Sequence, residues 1–172
     1  MPEQIRYAWG TSSLGDFVAA GSDAGLVAFE FGDQRAAMLD ALRTRFPDAA
    51  IVEDRDRLAD ILEKLGRLIE HPDQDAGVAL DMRGSDYQRR VWALLREIPA
   101  GETTTYGALA ARLGTRDTRD VTEAISLNTI AILVPCHRVI KKDGSISGYR
   151  WGVRRKRILL QREQRTGFVL QG

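Results

Sequence analysis

The chain has 172 residues, 44% apolar and 28% charged, with 25 Lys/Arg against 24 Asp/Glu and a formal net charge of +1. This is a globular composition, long enough for one large domain or two small ones, and it excludes a disordered polyelectrolyte. No apolar run approaches the roughly 18 residues of a membrane span. The opening residues lack a basic stretch followed by an apolar one, so no secretory signal is expected. One cysteine and two histidines leave no internal disulfide and no structural zinc site to expect. A reducing cytoplasm is the expected setting, with no metal and no diffusible cofactor.

The near-neutral total hides an asymmetry. Residues 1–83 hold 9 Lys/Arg against 16 Asp/Glu, whereas residues 84–172 hold 16 against 8. Two solvated surfaces of different character would account for this. An acidic supporting lobe joined to a basic lobe that meets a polyanion would do so too.

Residues 5–31 read as short strands separated by glycine-containing turns, with Phe17 to Ala20 and Leu26 to Phe31 on either side of one such turn. A helix is predicted over residues 34–46, with Met38, Leu39 and Leu42 on one face. The clearest helix covers residues 57–71. Its Leu58, Ile61, Leu62, Leu65, Leu68 and Ile69 follow three-and-four spacing, and Pro72 stops it. After a short strand at residues 78–80 the charge balance changes sign near Gly84, which places a boundary between lobes 1–83 and 84–172. Ser85 or Asp86 then caps a helix carrying Val91, Trp92 and Leu95. Helices over residues 106–113 and 118–127, separated by Gly114, have helix-turn-helix spacing, though such pairs also occur as plain packing units. A hairpin turn at residues 141–145 and a basic helix over residues 153–165 complete the chain.

The chemistry centres on Pro135-Cys136-His137-Arg138-Val139-Ile140. The preceding run Ile130-Ala131-Ile132-Leu133-Val134 reads as a buried five-residue strand that delivers the thiol at its end. A lone cysteine is by default a small buried hydrophobe. An adjacent histidine changes that reading, because a thiolate needs a base or a positive neighbour to form near neutral pH.

These residues resemble the methylated-DNA–protein-cysteine methyltransferases, the O6-alkylguanine-DNA alkyltransferases, and in particular the C-terminal domain of Ada-type adaptive-response regulators. The matching pieces are Asp81 to Gly84, Gln88, Val91-Trp92, Ile98-Pro99, Tyr106, Arg119, Asn128, the PCHRVI block, Gly148 to Gly152, Lys156, Leu159-Leu160 and Glu163. The resemblance covers roughly residues 80–165. It implies a two-lobed α/β protein, with an RNase H-like N-terminal lobe and a helical, winged-helix-like lobe bearing the helix-turn-helix. It also implies direct repair of O6-alkylguanine, with O4-alkylthymine a further substrate, by one irreversible transfer to Cys136. His137 would act as base with Glu163 behind it, and Asn128 would link the helix-turn-helix to the active-site turn. Tyr149 and Lys156 would assist the leaving guanine. Tyr106, Arg119, Thr105 and Arg138 would contact double-stranded DNA, Tyr106 helping to rotate the nucleotide out and Arg119 filling its place. A monomer is implied, and no membrane partner.

Three departures qualify the resemblance. The segment between Tyr106 and Arg119 is one residue shorter than the usual pattern and lacks the common proline. Asp120, Thr122 and Glu123 replace small residues on the recognition helix, and carboxylates near phosphates weaken DNA binding. The four-cysteine zinc domain that precedes this region in Ada proteins has no counterpart here, so the resemblance does not extend to transcriptional activation. Rival readings are a lesion-binding protein without transfer, a Cys/His hydrolase or redox enzyme, and a diverged or engineered domain alkylated by free benzylguanine-type substrates. The acceptor Cys136 argues against the first, and the absence of a second cysteine against redox cycling.

Overall fold

In the computed structural model, residues 2–146 and 148–164 are described. The chain opens with β1 (Gln4–Gly10), β2 (Phe17–Gly21) and β3 (Leu26–Phe31), followed by α1 (Arg35–Arg45), β4 (Ala50–Glu53) and α2 (Arg55–Glu70). The sheet order is β3-β2-β1-β4, with β1–β2 and β2–β3 antiparallel and β4 parallel to β1. Alternation along β2 sends Val18 and Ala20 to one face, against Leu42 and Phe46 at the end of α1. Phe17 and Ala19 point to the other face with Phe29 and Phe31, against Leu65, Leu68 and Ile69 of α2. The strand β4 was not foreseen in the sequence. Helix α2 starts where Asp54 accepts a hydrogen bond from Arg57 N at 3.1 Å, and it ends before Pro72.

The expected strand at residues 78–80 is only an isolated bridge to Leu26, made by Leu26 N to the Ala79 carbonyl (2.9 Å) and Asp81 N to the Leu26 carbonyl (2.8 Å). The approach is close. A Cβ on Gly25 would lie 2.7 Å from the Ala79 oxygen, so glycine is required there.

The second half comprises α3 (Asp86–Arg96), β5 (Thr104–Thr105), α4 (Tyr106–Arg112), α5 (Arg119–Ser126), a single 3-10 turn at Cys136–Arg138, β6 (Val139–Ile140) and α6 (Val153–Glu163). Ser85 caps α3 in a capping box with Gln88. Trp92 of α3 donates its indole N–H to the Ala124 carbonyl at 2.8 Å, which fastens α5 to α3. Thr105 caps α4 through Ala108 N (3.1 Å), and β5 pairs in parallel with β6. That short ladder sets Tyr106, the first residue of α4, beside the chain that has just left Cys136. The final helix was expected to reach Arg165, which lies outside the described residues.

The largest difference from expectation lies at residues 130–134. They do not form a five-residue strand: Ile130 makes one bridge to Phe29, and the chain then coils through turns with Ile132 at φ 65°. A β-branched residue in the left-handed region is costly, by about 1–3 kcal/mol. Surrounding contacts must hold it. Phe29, Leu65, Trp92, Ile132 and Leu159 belong to one buried cluster, so the core runs from the sheet through α2 into the second half without a break. No described helix is long and apolar enough to cross a membrane.

Candidate active site

Cys136 is the first residue of the 3-10 turn, which follows Pro135, and it is 5% exposed. The side-chain amide of Asn128, at the end of α5, organises everything before it. Its Nδ2 donates to the carbonyls of Val134 (3.0 Å) and Ile130 (3.2 Å) and approaches Cys136 Sγ at 3.4 Å. Its Oδ1 accepts from Ile130 N at 2.9 Å. One buried amide therefore engages three backbone groups of the irregular segment, Ile130 N and the Ile130 and Val134 carbonyls, and it contacts the thiol at the same time.

His137 Nε2 lies 2.5 Å from Glu163 Oε1 on α6, and both side chains are fully buried. The other ring nitrogen, Nδ1, is buried without a hydrogen-bond partner among the described residues. Burial lowers the His137 pKa, opposed by the Glu163 hydrogen bond. Burial also works against the Glu163 anion, but His137 and Arg138 outweigh it and hold the carboxyl below its usual range. The resulting state is a carboxylate facing a neutral imidazole.

Burial pushes the Cys136 thiol up to about 11, despite opposing contributions from the Asn128 hydrogen bond and the Lys156 charge. The sulfur is thus a thiol at rest. To act as a nucleophile it would have to give up that proton to a nearby neutral base. Lys156 of α6 is fully buried and donates to the Val139 carbonyl at 2.6 Å, and burial lowers it to about 8. Tyr149 packs edge-on against Trp151 (5.2 Å, 73°) and its hydroxyl is buried without a hydrogen-bond partner among the described residues. Burial, then the neighbouring Cys136, raises its pKa well above 10, so it remains a proton donor.

Of these groups, Cys136 and Tyr149 border a cavity of about 530 Å³, with Tyr106, Thr122, Ile125 and Arg150 also among its walls. Its size is that of a small-ligand pocket. A second hollow next to it, about 490 Å³, runs past Thr105, Tyr106, Thr118, Lys141 and Lys142.

The structure brings together Cys136, His137, Glu163, Asn128, Tyr149 and Lys156 as expected from the sequence. Tyr106 lines the cavity, Thr105 caps the helix beside it, and Arg119 extends into solvent (88% exposed), bound to Asp117 at 2.6 Å. Arg138 does not fit its expected place on DNA. It is 8% exposed and turned inward, its Nε on Glu163 Oε1 and Oε2 (3.0 and 3.1 Å), its Nη1 on the Ile98 carbonyl (2.6 Å) and its Nη2 on the Pro72 carbonyl (3.3 Å). The chain reversal at the 3-10 turn points consecutive side chains in different directions, and the buried carboxylate captures this one. The parts missed in the sequence reading were Thr122 and Ile125 of the cavity wall and the Ile98 and Pro72 carbonyls. Backbone acceptors leave no signature in residue type.

The family profile described as "6-O-methylguanine DNA methyltransferase, DNA binding domain" matches residues 86–165. The chain is 38% identical over 164 residues to the bifunctional transcriptional activator/DNA repair enzyme Ada of Escherichia coli K12, covering 92% of this chain but 45% of that protein. It therefore spans about half the length of that relative. Against the methylated-DNA–protein-cysteine methyltransferase of Mycolicibacterium paratuberculosis the identity is 38% over 162 residues, covering 94% of this chain and 93% of the relative. The fold superimposes on the crystal structure of Mycobacterium tuberculosis OGT in complex with DNA with a TM-score of 0.76 at 34% identity, covering 93% of both chains. Near-complete overlap with the last two proteins, around a buried Cys136 and His137, leads to one assignment: the chain belongs to the methylated-DNA–protein-cysteine methyltransferase family, the O6-alkylguanine-DNA alkyltransferases.

Proposed function

We propose that this protein repairs O6-alkylguanine in double-stranded DNA by transferring the alkyl group, once and irreversibly, to Cys136. The observation that carries the reading is the buried thiol at a cavity of about 530 Å³, backed by a neutral imidazole whose Nδ1 has no hydrogen-bond partner among the described residues. The thiol proton passes to His137 Nδ1, directly or through one water, while Nε2–H stays on Glu163. The S–C bond forms as the C–O6 bond breaks, and the electron pair left on the guanine is met by a proton or hydrogen bond from Tyr149 or Lys156. The products are an S-alkylcysteine and an unmodified guanine; His137 releases the thiol proton to solvent, and the donor that protonated the guanine takes one back from solvent, so the proton count is conserved. A thioether does not hydrolyse readily, so each molecule reacts once.

A stacked guanine hides its O6 from the sulfur, so the nucleotide must be extruded into the cavity, and a poorly paired alkylguanine costs less to extrude. In this reading α4 and α5 form a helix-turn-helix, with Tyr106 pressing on the backbone and Arg119 entering the stack. Residues 84–172 form the winged-helix-like catalytic lobe, and residues 1–83 an RNase H-like support, whose β3-β2-β1-β4 order with a parallel β4 is compatible with that comparison. The protein acts as a monomer in the cytoplasm.

Mixing the protein with a duplex carrying one O6-methylguanine should add one methylene unit, mapped to Cys136 and absent in Cys136→Ala, by intact mass. The exposed Asp120 and Glu123 on α5 favour a second reading, in which DNA binding is weak and free benzylguanine is the better substrate. Labelling by free O6-benzylguanine without reaction on the duplex would select it. No adduct from either substrate would end the alkyl-transfer reading.

A further inference from the structure

Burying an arginine cation requires close partners, and those of Arg138 converge on the catalytic carboxylate. Glu163 Oε1 lies 2.8 Å from Arg138 Nη2 and 2.5 Å from His137 Nε2, so the guanidinium and the imidazole share one oxygen. A buried carboxyl facing an imidazole has two arrangements of the same proton. In one, the carboxylate accepts from Nε2–H and Nδ1 keeps its lone pair. In the other, the carboxylic acid donates to Nε2 and the ring proton sits on Nδ1. Only the first can take a proton from the thiol. A guanidinium clamped on both carboxylate oxygens stabilises the anion and so selects the first.

We propose that Arg138 is a positioning residue: by holding Glu163 as the anion, it keeps the His137 proton on Nε2 and leaves Nδ1 as the base. The inference rests on the alkyl-transfer reading of the site. Other described residues also face the pair. Gly101 N donates to Glu163 Oε2 at 3.4 Å, Lys156 adds a second positive charge near His137, and Cys136 and Tyr149 are the neighbouring acids. The contacts to Ile98 and Pro72 fix the guanidinium against both the end of α3 and the segment after α2.

The test uses 15N-edited NMR of the imidazoles together with the pH dependence of alkylation by free O6-benzylguanine, which bypasses DNA binding. The chain has two histidines, so a His71→Gln spectrum assigns His137. Wild type should show Nε2–H. Arg138→Met should populate Nδ1–H, lower the rate about tenfold or more at neutral pH, and move the acid limb of the profile upward, because losing a positive neighbour favours the imidazolium. Arg138→Lys should restore most of the rate and the wild-type limb. Arg138→Met in a Glu163→Gln background, which removes both buried charges together, should cost no further rate.

An Nδ1–H tautomer in wild type, an unmoved limb with Nε2–H in Arg138→Met, or an added loss in the Glu163→Gln background would each overturn the proposal. If Arg138→Met does not fold, the Glu163→Gln pair and the wild-type tautomer decide. A wild type that no substrate alkylates would remove the repair reading, while the tautomer measurement would still decide what Arg138 does.

Discussion

Lys156 has no exposed surface, and its amine is lowered to about 8 by burial. An unfolded lysine titrates near 10.5. Between those values the unfolded chain binds more protons than the folded one, so stability should rise with pH. Cys136 runs the other way. Its thiol moves from 9.0 to about 11, so the folded chain retains a proton that the unfolded chain releases, and stability should fall above pH 9. The interval from about pH 8 to 9 therefore isolates the lysine. The melting temperature of wild type should climb across it, and that of Lys156→Met should not. Equal slopes in the two proteins would show that the amine is not titrating there. In the proposed alkyl transfer the same residue acts in its charged form, so Lys156→Met should also slow the reaction with benzylguanine.

At the scale of the element, α5 carries an internal opposition. Arg119 begins it, already bound to Asp117 through two hydrogen bonds from Nε and one from Nη2, and the exposed Asp120 and Glu123 face solvent from the same short helix. Anionic phosphates would meet this helix against a local negative charge. Replacing Asp120 with Asn and Glu123 with Gln should tighten duplex binding about threefold to tenfold at low salt, with a smaller gain at high salt. Unchanged affinity in a fluorescence-anisotropy titration would place both carboxylates away from the phosphates.

The elements that were legible in the sequence have a common character. In α2 the spacing of Leu58, Leu65, Leu68 and Ile69 alone announces a buried face, and before α3 Ser85 or Asp86 announces a cap, which the structure assigns to Ser85. The apolar run before Cys136 announced a strand and misled. There Asn128 replaces ladder hydrogen bonds with bonds from one amide to Ile130 and Val134, and Ile132 between them sits at positive φ. Strand β4 left little pattern because Ile51 and Val52 are its only strongly apolar residues, with Val52 39% exposed, and its parallel pairing to β1 is a long-range contact.

For the whole molecule, the change in charge near Gly84 is a property of the surface, whereas the interior runs across it. Leu14, Phe29 and Leu65 share one cluster with Trp92, Val134 and Leu159. Three arginines from the C-terminal region reinforce it: Arg150 on Glu30 at 2.9 Å, Arg155 on the Leu14 carbonyl at 2.7 Å, and Arg162 on the Ile69 carbonyl at 2.6 Å. Urea unfolding should accordingly be one cooperative transition. Fluorescence of Trp92 and Trp151, isolated in a Trp9→Phe variant, should lose signal at the same midpoint as the far-ultraviolet circular dichroism. Separated midpoints would mean that the halves unfold independently. The site was legible to the same degree as the interior. Cys136 and His137 declared themselves as neighbours, but the inward turn of Arg138 depends on a carboxylate 25 residues later in a different helix, a relation that only folding creates.

The outer edge of β3 has a consequence for biosynthesis. It is covered at one end by residues 79–81 and at the other by Thr129 and Ala131, the latter part of the segment that carries Cys136. On the ribosome β3 emerges about 100 residues before its second cover, which at ordinary elongation rates is about 5–20 s. Throughout that interval a hydrophobic strand offers open backbone donors and acceptors, the kind of edge that recruits other chains. Rapid translation or a chaperone bound to the nascent sheet should therefore raise the soluble yield, whereas pauses placed between codons 31 and 129 should lower it.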